Sequence, residues 1–176
     1  MKLEHKYCAG PGRVTVTDGQ VISGYASLFG KSDQGGDIVS RGAYHTSLAQ
    51  GRRIRMLWQH DPAQPIGIWD EVVEDAKGLW VKGRLLTDIA KAREAASLIA
   101  AGAIDGLSIG YRTIRARKDD QGARHLTELD LWEVSLVTFP MLADARIAAK
   151  AETAGADELR QLTAAFAAAR RLLSPL

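Results

Sequence analysis

Apolar and polar positions alternate with a period of two along most of the chain up to Phe139, as strands with one buried face require. Residues 13–29 read as two short strands with Asp18-Gly19 as the turn between them. A loop rich in glycine and aspartate follows, and Ser40 is placed to cap a short helix over 41–50 that Gly51 ends. In 52–61 one face carries Ile54, Met56, Trp58 and His60 and the other Arg53, Arg55, Leu57 and Gln59, which predicts a strand whose last inward position is a histidine. Segments 66–75 and 79–86 predict an antiparallel pair. The period then becomes helical over 88–101, with Thr87 as cap, Ile89, Ala92, Ala96 and Ile99 on one stripe and Gly102 just past the end. Two long strands, GLSIGYRTIRAR and HLTELDLWEVSLVTF, joined by the loop KDDQGA, complete the body.

The pattern predicts a β-rich α+β fold, drawn as a small closed antiparallel β-barrel with flanking helices. Beyond it, 12 of the 34 residues from Ala143 onward are alanine, and Leu159, Leu162, Phe166 and Leu173 recur at helical spacing. That predicts an appended amphipathic C-terminal helix. With 176 residues and 46% apolar content the chain can bury one core but not two.

Composition then narrows the chemistry. Lys and Arg number 23 against 21 Asp and Glu, so the net charge of +2 supplies no broad basic field for nucleic acid. Cys8 is the single cysteine, which removes intramolecular disulfides and calls for no oxidising compartment. The N-terminus lacks the apolar run of a secretory signal, and no stretch approaches the roughly 20 apolar residues of a membrane helix, so a cytoplasmic protein with no membrane partner is expected. His5, His45 and His125 stand outside any HExxH, CxxC or DxD spacing, and GKSDQGGD fits no phosphate-binding glycine motif. Neither a metal nor a cofactor is expected.

Three residues interrupt core-like strands: His60 after Met56-Leu57-Trp58, Ser108 within GLSIG, and Glu133 within LDLWEVSLV. A buried carboxylate requires a partner or solvent on its side, and a histidine N–H would serve. Ser108 lies between small residues, Gly106 and Gly110, that let a substrate backbone come close. Each of the three also has an ordinary structural reading on a solvated strand face. Ser108 and Glu133 lie on consecutive hairpin strands and can be neighbours, while His60 needs a third strand brought alongside. Arg52, Arg53 and Arg55 form a small basic cluster, read as a solvated edge or a contact for an acidic partner segment.

Taken in order, GYASLFG, DIVSRGAY, MLWQHDPAQPIGIW, DGLSIGYR and LDLWEVSLVTFPMLADARI resemble the prohead (capsid maturation) serine protease family of HK97-type tailed phages, whose members also occur in phage-like gene transfer agents. The resemblance implies a fold related to the herpesvirus assembly proteases and a serine endopeptidase activity. It places the nucleophile on Ser108, the histidine on His60 and the acidic member on Glu133. Glu128 and Asp130 share the last strand, but on a regular strand Asp130 faces away from Glu133 and Glu128 has the wrong parity too. A protease domain over 1–147 and an Ala-rich helical tail over 148–176 follow. The implied enzyme works inside the immature capsid, cleaves the scaffold segment of the major capsid protein and itself, and leaves open a homodimer by analogy of fold. The alternative is a non-catalytic assembly factor that binds capsid or scaffold chains. The oxyanion donors are placed only as far as the backbone of 109–112 or a water held by Arg112.

Overall fold

Of residues 1–20 the computed structural model describes only the backbone of two strands, β1 (Glu4–Tyr7) and β2 (Thr15–Thr17); residues 21–139 are described in full. The C-terminal helix expected from the alanine-rich tail lies outside the described residues. The other elements are β3 (Val21–Leu28), β4 (Asp37–Val39), α1 (His45–Ala49), β5 (Arg55–Trp58), β6 (Asp61–Glu74), β7 (Gly78–Leu85), α2 (Ala90–Ala100), β8 (Gly106–Lys118) and β9 (Arg124–Val137).

One sheet gathers all the strands in the order β1-β8-β9-β5-β6-β7-β3-β2, with β4 pairing β9 as well. It curls far enough that β3 approaches β8, five strands away in that order. The ladders of the described residues leave β1 and β2 unjoined at its two ends, so the sheet is a curled half-barrel. Nor is it wholly antiparallel, as the alternation suggested: β4 and β5 both run parallel to β9. A parallel neighbour needs a long connection, and β6, β7, α2 and β8 supply it between β5 and β9. Inside the curl, Ile22, Met56, Trp69, Val81, Ile109 and Val134 belong to one apolar core. Each such side chain contributes about 1.5–3 kcal/mol by leaving water.

Three local departures from the pattern have physical causes. Helix α1 starts at His45, not after Ser40, and no side chain of its own caps it. The Glu74 carboxylate reaches in from β6 and accepts the N–H groups of Gly42 and Tyr44, a tertiary partner in place of a local cap. Likewise Thr87 does not cap α2: Ile89 holds the N-cap position in extended conformation, with no side-chain cap. The other end of α2 is as expected, for Gly102 takes a φ of 71°, which costs glycine nothing.

The third departure matters most. Strand β5 ends at Trp58, and Gln59 and His60 form a two-residue turn between Trp58 and its partner Asp61. Both turn residues have positive φ, 52° and 62°, the sign that the tight hairpin turns of type I′ demand at both central positions. The histidine predicted to end a strand therefore sits in a hairpin turn.

Candidate active site

The site is built on the outer face of the β8–β9 hairpin. Ser108 pairs with Ser135 and Gly110 with Glu133, so these four share one face, while Leu107, Ile109, Val134 and Leu136 point the other way into the core. Glu133 needs space to lie along that face. A Cβ on residue 110 would stand 2.6 Å from Glu133 Cδ, so only glycine leaves the carboxylate where it is.

Strand β5 lies on the far side of β9, in parallel register with Leu57 beside Ser135 and Trp58 beside Leu136. That register sets the Gln59-His60 turn above the end of β9, where four contacts hold it. Gln59 N donates to Leu136 O at 2.9 Å, and Gln59 Nε2 donates to Thr138 Oγ1 at 2.6 Å. Thr138 N donates back to Gln59 Oε1, and His60 N donates to Ser135 Oγ at 3.2 Å. A left-handed backbone at a non-glycine residue costs of order 1–2 kcal/mol. The turn is kept because β9 fixes it at both residues.

From this turn the imidazole reaches both expected partners. His60 Nδ1 lies 2.5 Å from Glu133 Oε1, and His60 Nε2 lies 2.6 Å from Ser108 Oγ. An ionised carboxylate can only accept, so Nδ1 donates to Glu133, and in the neutral imidazole Nε2 then presents a lone pair to the Ser108 hydroxyl. The second carboxylate oxygen accepts from Ser135 Oγ at 2.5 Å. Ser108 and Ser135 are fully buried and Glu133 is 3% exposed, so water does not screen these contacts. The solvated strand faces allowed by the alternation are absent here.

Asp130 corrects one expectation. A bulge leaves Trp132 without a partner, since Gly110 pairs with Glu133 but Tyr111 with Leu131, and this extra residue turns Asp130 onto the same outer face as Glu133. Asp130 does not meet the imidazole. It is bound by Arg52 Nη1 at 2.7 Å, Arg112 Nη2 at 3.3 Å and the Trp132 indole N–H at 2.9 Å, with the Arg52 guanidinium also 4.3 Å from the Trp132 ring centre. Arg52 thus leaves the basic cluster expected from the sequence, while Arg53 and Arg55 stay at the start of β5. Glu128 is half-buried and pairs with Arg115 at 3.5 Å.

Arg112, suggested as a holder of the oxyanion water, places Nη2 3.3 Å from Asp130 Oδ2 and keeps its side chain 45% exposed. The backbone of β8 from Ser108 to Tyr111 lies between β1 and β9, so its N–H groups serve ladders on both sides. Sequence reasoning missed Ser135 and the Gln59 clamp, and it gave Gly110 to substrate access where the structure places the Glu133 carboxyl group against it. The signal for Ser135 was available: a serine two residues from Glu133, on the same face of an otherwise apolar strand. Among the described residues no group of three or more His, Cys, Asp or Glu side chains is arranged to hold a metal, and no helix is long and apolar enough to cross a membrane.

A hydroxyl, an imidazole and a carboxylate in line, on a curled β-sheet, define the arrangement used by serine hydrolases. Residues 12–158 match the caudovirus prohead serine protease family, and the chain belongs to that family. It is 34% identical over 149 residues to the prohead protease of Enterobacteria phage HK97; the match covers 81% of this chain and 65% of that protein's length. Among solved structures, the bacteriophage T4 capsid assembly protease superposes with a TM-score of 0.62 at 15% identity, covering 79% of this chain and 98% of the other, a likeness of fold. The varicella-zoster virus protease superposes with a TM-score of 0.44 at 14% identity over 72% of this chain and 62% of its own.

Proposed function

We propose that this protein is a serine endopeptidase of capsid maturation, acting through Ser108, His60 and Glu133. The observation that carries the reading is the unbroken line from Ser108 Oγ through the two ring nitrogens of His60 to Glu133 Oε1, with contacts of 2.6 and 2.5 Å. A serine hydroxyl is too weakly acidic to attack an amide unaided. As Ser108 Oγ adds to the scissile carbonyl carbon, its proton passes to His60 Nε2, and the imidazolium then gives that proton to the leaving amine. Glu133 keeps Nδ1 protonated beforehand and balances the positive ring that forms. Water repeats the cycle on the acyl-enzyme.

The substrate of this reading is the scaffold segment of the major capsid protein inside the immature capsid, together with the protease's own chain. In this reading residues 1–147 are the protease domain and 148–176 a helical tail. Family membership and the likeness to proteases of capsid assembly support this choice over other hydrolase substrates.

The test is co-expression with the cognate major capsid protein, alongside treatment with an active-site-directed fluorophosphonate. The wild type shortens the capsid protein and takes up the reagent, and Ser108→Ala does neither. Equal processing by the two proteins would reject the peptidase reading and leave a non-catalytic assembly factor.

A further inference from the structure

We infer that Ser135 is a positioning residue for the His60–Glu133 pair, an inference that rests on the reading of the site just given. A hydroxyl has one hydrogen to donate and two lone pairs. Glu133 Oε2, 2.5 Å away, can only accept, so the Ser135 hydrogen goes to the carboxylate. A lone pair is then left for the N–H of His60 at 3.2 Å. One buried hydroxyl thereby ties the carboxylate to the backbone of the residue whose ring that carboxylate supports.

The two ties do different work. The bond to Oε2 holds the rotation of the carboxyl group that keeps Oε1 on the line of Nδ1. The bond from His60 N steadies a residue in the left-handed region, where the backbone otherwise relaxes. Both ties come from one atom, so the His60 backbone and the Glu133 carboxylate are held to the same point on β9. Ser135 stands directly across the ladder from Ser108, yet its hydrogen is engaged by the carboxylate and not by His60 Nε2. It is therefore no substitute nucleophile.

The experiment is the rate of fluorophosphonate inactivation of the full chain, resolved into a maximal rate and a half-saturating concentration, for wild type, Ser135→Ala, Glu133→Gln and the double variant. Ser135→Ala lowers the maximal rate by about 10–100-fold and leaves half-saturation within about twofold, because the reacting geometry changes and the binding surface does not. In the Glu133→Gln background the same substitution removes less than about threefold, since most of its action runs through the carboxylate. Ser135→Cys, of similar size with a weak S–H donor, falls between wild type and Ser135→Ala. It also carries the test if Ser135→Ala does not fold. A wild-type maximal rate in Ser135→Ala, or a loss that multiplies in full with that of Glu133→Gln, would overturn the inference. Absence of any labelling of wild type at Ser108 would remove the peptidase reading itself, a result distinguishable from both.

Discussion

Two carboxylates three residues apart on β9 meet opposite chemistry. Asp130 and Glu133 lie on the same face because of the Trp132 bulge, and they are 7% and 3% exposed. Around Asp130 stand two guanidinium groups and an indole N–H, so its charge faces fixed cations. Facing Glu133 are a hydroxyl and an imidazole. Its charge is fully answered only while His60 is protonated, which in the proposed mechanism happens as the serine attacks. A buried acid faced by fixed cations is part of the scaffold; one faced by a titratable ring can work in a reaction.

This contrast predicts opposite outcomes for two isosteric changes. Glu133→Gln lowers the fluorophosphonate rate by about 10³–10⁴-fold, as loss of the group that sets the imidazole tautomer does in serine proteases generally, with little change in the urea midpoint. Asp130→Asn does the reverse: it destabilises by about 1–3 kcal/mol in urea titration, because two arginines lose their counter-charge, and leaves the rate of the folded protein within about threefold. A smaller effect comes from Gly110→Ala, whose methyl displaces the Glu133 carboxyl group. Its labelling rate falls by about 10-fold or more, and Glu133→Gln in the same chain removes much of the difference.

The smallest expected effect lies outside the site. The Tyr25 hydroxyl donates to Asp75, and that bond, with N–H groups of Lys77 and Gly78 and the nearby Lys77 charge, holds the Asp75 carboxyl below its ordinary range. A depressed carboxyl stabilises the fold above its unfolded value near 3.9, and that contribution is lost as pH falls through the lower, folded value. Asp75→Asn accordingly loses less thermal stability than wild type on going from neutral pH to about pH 3. An equal loss in both proteins would contradict the assignment.

Much of this was legible in the chain, and the gaps have physical causes. Alternation locates β3, β7, β8 and β9 well because each puts one face on the core. Ser108, His60 and Glu133 stand out as polar residues in apolar runs, and the structure brings all three together. The His60 turn was hidden because tight hairpins of this kind usually announce themselves with Asn-Gly or Asp-Gly, and Gln-His carries no such signal. Its conformation is imposed by Leu136, Thr138 and Ser135, distant in sequence. The parity argument about Asp130 failed for a similar reason: a bulge changes which residues share a face and leaves no mark in a period-two count. Capping by Glu74 also comes from another element, which local patterns cannot register.

Peptide mapping of the fluorophosphonate adduct probes the central claim most directly. On wild-type protein the account places the phosphonyl mass on the Ser108 side chain, with none on Ser135, and expects it to vanish in His60→Ala at matched exposure. An adduct on Ser135, or one on Ser108 formed at undiminished rate without the His60 imidazole, would contradict it.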